Sequence, residues 1–441
     1  MLQGTFILNN SEYKFEISDY KIQFYAESNN YLYWDKKRKS KDFLFTQPLH
    51  GVDENNRSIY IQPSLILAME TSLPPSQRTK IILTLDYVIL WYDTNNDCRS
   101  TNGISISFPS SVQSSCQKHP IPKRNDCLGS WFYNCTKRSF IWKCVNNLPE
   151  PDIIKKVYLL IDTLRFICQS NIIGNVKIEL LYNGKNVGCI QYCKKIDIYC
   201  KGQMSQTLED VLCIISQQQF NKIIEQAENN SIYMSHIVDT AVPPMVTPGW
   251  FITVVAGFEW ECCRFNFKME HSAQSIQEQK KVIDYLDKEI ENSSTHAKKH
   301  YKNYKKAIKE YDEQVNLMEK IKRIFYKDEF QTYWEVLIPA AYEIYKDKKD
   351  LDTIASRLTK QRNDFAHGNW NKEIDPICVI DIFLLRKAMF ILQLDRCNIE
   401  EYTIKIWYDL IFRNEHPFSK NDMLNDALKA LDVYIDEMKA K

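Results

Sequence analysis

The residues of this chain best suited to chemistry lie in one short run, RNDFAHG, from Arg362 to Gly368. The run sets a permanent cation, an amide next to it and an imidazole five residues on. An imidazole can take or give a proton near neutral pH, and a guanidinium can hold phosphoryl oxygens while charge builds on them. Together they could break a phosphodiester without a metal. His367 would accept the proton of a ribose 2′-OH or protonate the leaving 5′ oxygen, and Arg362 would stabilise the pentacoordinate phosphorus.

A helix must position these groups. Counting from Leu351, the apolar residues Ile354, Ala355, Leu358, Phe365 and Ala366 fall at helical spacing and form one buried stripe. Arg362 falls on that stripe, so an anion is expected against it, either a ligand phosphate or a carboxylate such as Glu259 from the apolar segment Phe251 to Lys268. Asn363 and His367 are spaced i, i+4, which lets the amide hold the imidazole. Gly368 fits the C′ position that ends the helix. The residues alone also allow a simpler reading, in which Arg362 is a salt-bridge donor and His367 a capping side chain.

The pattern R-N-x3-H at a helix end, followed by glycine and an apolar helix, resembles the R-x4-6-H motif of HEPN-domain ribonucleases. The resemblance covers roughly residues 245 to 441. With a strand-rich half in front of it, the layout is similar to that of the ApeA-like anti-phage proteins. The resemblance implies an all-α HEPN-like bundle and a metal-independent endoribonuclease with no cofactor. In it Arg362 is the phosphate clamp, His367 the acid/base and Asn363 the residue that orients the histidine. It further implies a dimer or higher homo-oligomer with a composite site, and abortive defence against phage by cutting tRNA or other single-stranded RNA loops after a phage-derived trigger. The alternative within the same resemblance is an inactive scaffold that binds RNA or protein.

Composition sets limits on both readings. A chain of 441 residues is too long for one core. Its formal net charge of +1 offers no general attraction to nucleic acid, so any RNA contact must be local. Candidate contacts are Lys360 on the motif helix and Lys302, Lys305 and Lys309 on a lysine-rich arm, although such a face is often simply solvated. The start, MLQGTFILNNSEYKF, does not read as a secretory signal, and no run approaches the length of a membrane span. The expectation is a cytoplasmic protein without membrane contact, its 14 cysteines reduced. Phosphate-binding, dinucleotide-binding, zincin and nucleophile-elbow motifs are all missing from the sequence.

Along the chain, β-branched and aromatic runs predict strands at Thr5 to Leu8, Tyr13 to Ile17, Lys21 to Ala26, Ser58 to Gln62, Lys80 to Tyr92 and Ser139 to Cys144. The long run KIILTLDYVILWYD is expected to have one solvated face, in an antiparallel sheet or sandwich. Cys98, Cys116, His119, Cys127, Cys135 and Cys144 could supply a structural zinc site, but no C-x2-C pair occurs and unliganded thiols are the simpler reading. Cys189, Cys193 and Cys200 form a second loose group. A helix over Ile153 to Gln169, a hairpin turned at Asn183-Gly184 and a helix opened by a Thr207–Asp210 capping box through Glu228 follow.

The proline-rich stretch Asp239 to Trp250 marks a linker between a β-rich N-terminal domain, 1–238, and a helical C-terminal domain, 251–441. Within the latter, an inserted helical hairpin is expected over about 275–325, turned near Asn292. Further helices are expected over Glu329 to Lys346, Pro376 to Leu394, Tyr402 to Phe412 and Lys420 to Met438. The fold class expected is α+β, a mainly antiparallel β domain with a few helices followed by a helical bundle.

Overall fold

The computed structural model describes residues 1–8, 11–27, 48–71, 78–92, 101–108, 128–134, 137–170, 173–200, 206–237, 246–265, 273–313, 315–333, 337, 348–369 and 372–412. The chain forms two compact units, Met1–Ile232 with Ile237–Pro243, and Tyr233–His236 with Pro244–Lys441. The first is built on antiparallel strands and the second is helical.

Strand formation in the first unit follows side-chain alternation. In β1 (Leu2–Leu8), β2 (Ser11–Ser18) and β3 (Lys21–Glu27), alternate residues, among them Phe6, Tyr13, Phe15, Ile17, Ile22 and Phe24, are buried in one core. β4 (Leu49–Asp53), β5 (Ser58–Thr71) and β6 (Arg78–Trp91) continue the sheet, and β6 pairs back onto β3. The order β3-β2-β1-β4-β5-β6 therefore closes into a six-stranded barrel. Beyond β6 the same sheet runs on through β7 (Thr101–Ser107), β8 (Trp131–Asn134), β9 (Ser139–Leu148), β10 (Lys177–Tyr182) and β11 (Lys185–Gln191) in the order β11-β10-β7-β9-β8.

One long strand serves both parts. β6 pairs β3 through Arg78–Thr84 and β11 through Val88–Trp91. The expected solvated face is absent in its second half, where Val88, Ile89, Leu90 and Trp91 are all buried. Strands β4, β7 and β8 were not marked by the sequence pattern, being short or interrupted by glycine. The β10–β11 hairpin turns at Asn183 and Gly184, both at positive φ, as the Asn-Gly pair requires.

Helices α1 (Glu150–Cys168), α2 (Lys194–Tyr199), α3 (Gln206–Ile214) and α4 (Gln217–Glu228) complete this unit. The single helix expected from Thr207 to Glu228 is two helices. The capping box belongs to Ser216 and Gln219 at the start of α4, because Ser216 takes an extended backbone and breaks the run. Cys144, Cys168, Cys189, Cys193 and Cys200 are free thiols, while Cys213 is disulfide-bonded, which departs from the expectation of reduced cysteines throughout. Among the described residues no cluster of His, Cys, Asp or Glu could hold a metal ion. Cys98, Cys116, His119, Cys127 and Cys135 lie outside the described residues.

In the second unit, α5 (Pro248–Cys262) opens with Pro248 at its first turn and Thr247 as N-cap, so helix begins inside the stretch expected as linker. α6 (Ala273–Asn292) and α7 (Thr295–Glu313) form the hairpin. The second arm ends earlier than expected. Asn316 caps a new helix, α8 (Leu317–Phe325), whose Ile321, Ile324 and Phe325 belong to the core. The short α9 (Asp328–Gln331), the motif helix α10 (Lys348–Ala366), α11 (Pro376–Arg396) and α12 (Glu401–Phe412) follow. Most of the helix expected to Lys346, residues 239–245 and the helix expected over Lys420 to Met438 lie outside the described residues. No helix among the described residues is long and apolar enough to cross a membrane.

The core of this unit is aromatic, with Phe251 against Phe365, Phe258 against Phe325 and Phe390 against Trp407. Buried beside it, His236 is stacked on Tyr233, and burial together with the nearby positive charge of Arg386 lowers its pKa from 6.5 to about 3. The unfolded chain therefore takes this proton first as pH falls below 6.5, and stability drains away until the folded-state value is reached. We expect the wild type to lose up to about 1.4 kcal/mol per pH unit from this group between about pH 6 and pH 4. Denaturant titrations at both pH values should show a shallower dependence for His236→Gln, and equal slopes would refute the assignment.

Candidate active site

Three helices of the second unit meet at Arg362. Arg362, on α10, donates from Nη2 to Glu259 Oε2 on α5 at 3.2 Å and from Nη1 to Asn363 Oδ1 at 3.2 Å. The other oxygen of Glu259 lies 3.6 Å from Lys320 Nζ on α8. One carboxylate thus faces two cations and leaves a surplus positive charge at a site where the Arg362 side chain is still 37% exposed. A phosphate would meet that surplus at low desolvation cost.

Asn363 does not play its expected part. Its side-chain oxygen goes to the neighbouring guanidinium, a charge-assisted donor, and not to the imidazole. The link between Asn363 and His367 is the backbone bond from the His367 N–H to the Asn363 carbonyl at 3.0 Å. Around the helix, the five-residue spacing turns Arg362 and His367 about 140° apart. Arg362 accordingly lies at the border with α5 and α8, while His367 joins Lys360 and Asn363 on an exposed ridge at i, i+3 and i+7. Within one copy of the chain no hydrogen bond among these residues joins the imidazole to the guanidinium.

The position of His367 itself is well fixed. Gly368 takes φ +83°, its N–H bonds to the Phe365 carbonyl, and the Asn369 N–H bonds to the Asp364 carbonyl, a Schellman motif that makes His367 the C-cap residue. Lys372 closes the turn onto Asp364 at 2.7 Å. Gln361, buried in the helix, accepts from the N–H of Asp375, the N-cap of α11. Gly368→Ala meets no steric neighbour, so its effect is conformational, about 1 kcal/mol of stability with a displaced imidazole. Thermal unfolding and cleavage assays on this variant should both register the change.

The expected lysines fare differently. Lys360 and Lys302 are exposed. Lys305 is engaged within the hairpin, its ammonium held by both oxygens of Asp287, the longer contact 2.6 Å. The side chain of Lys309 lies outside the described residues.

Three charged residues, Arg357, Asp381 and Lys320, were missed. The deep carboxylate partner of α10 goes to Arg357, which binds Asp381 of α11 bidentately at 2.7 and 2.9 Å, with Asp381 fully buried. A lone aspartate inside the apolar run PICVIDIFLLRKAM was the available signal. Lys320 gave none, since one lysine on an amphipathic helix is unremarkable in sequence. Comparison of the chain with protein-family models, curated proteins and solved structures gives no match.

Proposed function

We propose that the helical unit is a HEPN-type, metal-independent endoribonuclease, with each site formed by Arg362 of one copy and His367 of another. The observation that carries this reading is the pairing of a half-exposed guanidinium, in a cluster with surplus positive charge, with an exposed imidazole fixed at a helix end. The roughly 140° divergence of the two side chains favours completion by a second copy over a site within one chain. In the reaction the 2′ oxygen attacks the adjacent phosphorus as its proton passes to His367. The bond from phosphorus to the 5′ oxygen breaks, and that oxygen takes up a proton from water. The products are a 2′,3′-cyclic phosphate and a 5′-OH. Unpaired loops, such as those of tRNA, suit the chemistry because the 2′-OH must reach an in-line position.

By its resemblance to the anti-phage proteins, the strand-rich unit would hold the nuclease inactive until a phage-derived trigger arrives. The test is incubation of the full chain with total tRNA in EDTA, alone and with extract of phage-infected cells. Cleavage to cyclic-phosphate ends supports the reading. Intact RNA under both conditions leaves a scaffold, in which Glu259 holds Arg362 for structure alone.

A further inference from the structure

Helices α5 and α10 are each tied to α11 by a short ion pair with a buried carboxylate. Glu261 of α5 binds Arg396 at 2.6 Å, and Asp381 of α11 binds Arg357 of α10 at 2.7 and 2.9 Å. The two helices also pack directly, Phe251 against Phe365 in the core. The Glu259 contact is of another kind. It reaches Arg362 at 3.2 Å and Lys320 at 3.6 Å, beyond the roughly 2.7–2.9 Å usual for charge-assisted bonds, and the Glu259 side chain is 23% exposed. An ion pair that long and that wet adds little to stability. The fold holds α5 and α10 in place without it.

What Glu259 does is fill a seat. Its two oxygens are directed one to each cation, Oε2 to Arg362 Nη2 and Oε1 to Lys320 Nζ, as two non-bridging oxygens of a phosphodiester would be. On α5, Glu259 stands between the buried Val255 and the buried Cys262, one turn to either side, so its backbone is fixed. Its long side chain can change rotamer and swing the carboxylate toward water while the helix stays where it is. Arg362 and Lys320 then face a ligand with both of their charges, in place of the single surplus charge that they show with Glu259 between them.

We propose that Arg362 and Lys320 form a two-point seat for the RNA phosphate, and that Glu259 is a built-in plug which that phosphate displaces. The proposal deepens the nuclease reading, on which it rests for the identity of the ligand, by adding Lys320 as a binding residue and a threshold for entry. A free phosphate ion has only the seat with which to drive Glu259 out. A polynucleotide engages further cations at the same time, such as the exposed Lys360 two residues before Arg362, and these contacts offset the cost of displacing the carboxylate. The plug thus selects chains over small anions.

The experiment uses the full chain carrying His367→Ala, so that RNA is not cut, and measures binding of fluorescein-labelled U12 by anisotropy and of inorganic phosphate by calorimetry. Glu259→Gln should strengthen U12 binding about three- to tenfold, the return of two solvent-screened ion pairs, and leave thermal unfolding close to the parent's. Lys320→Gln should weaken U12 binding and lower the slope of log affinity against log salt by about 0.7, the loss of one phosphate contact. With Arg362→Ala and Lys320→Gln both present, Glu259→Gln should give no gain. The same gain in that background would mean that removal of any negative charge suffices, which overturns the plug. Unchanged or weaker U12 binding in Glu259→Gln overturns it too, since a purely structural pair gives that result. A gain for inorganic phosphate with none for U12 overturns the assignment to a polynucleotide. Cleavage of tRNA by the wild type is read separately. If the wild type cuts but Glu259→Gln binds U12 no better, the plug alone fails, and if Glu259→Gln binds U12 better but nothing is cut, the nuclease reading alone fails.

Discussion

His367→Ala and Arg362→Ala are each expected to slow RNA cleavage by about two to four orders of magnitude, the span of a positioned acid/base or of an electrostatic stabiliser of the transition state. Neither change should unfold the protein. His367 is exposed, and Arg362 is partly exposed, so its ion pair with Glu259 is screened by solvent. The two variants should nevertheless differ. Removing Arg362 leaves Glu259 with Lys320 as its remaining neighbour, so some loss of substrate affinity should accompany the loss of rate. Removing His367 leaves the cationic cluster intact, so the variant should still bind RNA and fail mainly in turnover. Single-turnover cleavage with a measured binding constant separates these outcomes, and full activity in either variant contradicts the assignment of that residue.

Asp381→Ala is expected to give the largest loss of stability, about 3–5 kcal/mol, because it removes a fully buried carboxylate that holds the Arg357 guanidinium through two short bonds. The same pair replaced together, Arg357→Met with Asp381→Leu, should cost far less, since two charges are removed from a low-dielectric interior and replaced by packing atoms. Denaturant unfolding of the three chains is the measurement. A loss below about 1 kcal/mol in Asp381→Ala would mean that water or another acceptor compensates the arginine.

Much of this organisation is readable before any coordinates. Alternation placed β1, β2, β3, β5, β6 and β9, and the 3.6-residue period placed α1, α10, α11 and α12, because each is long enough for its pattern to outweigh local noise. The Gly368 cap and the Glu259–Arg362 contact followed from chemistry alone, a residue that tolerates positive φ and a cation that needs an anion. Other features depend on tertiary geometry that a one-dimensional pattern does not carry. Closure of the barrel comes from β6 pairing back to β3, and WFYN is a strand only because β9 runs beside it. The break at Ser216 was hidden because Leu212, Ile215 and Phe220 keep near-helical spacing across it. Among the site residues, the expected Asn363–imidazole contact failed because i, i+4 spacing permits a contact without outcompeting an adjacent guanidinium.

The central claim is that one scissile phosphate is held by Arg362 from one copy of the chain and attacked with the help of His367 from another. It is tested most directly by co-expressing Arg362→Ala and His367→Ala chains under different tags, purifying the mixed dimer and assaying it on tRNA in EDTA. A composite site regenerates one working centre of two in the mixed dimer, so about half of the wild-type rate should return although each parent is inactive. A mixed dimer as inactive as its parents would place both groups in a single chain and contradict the account.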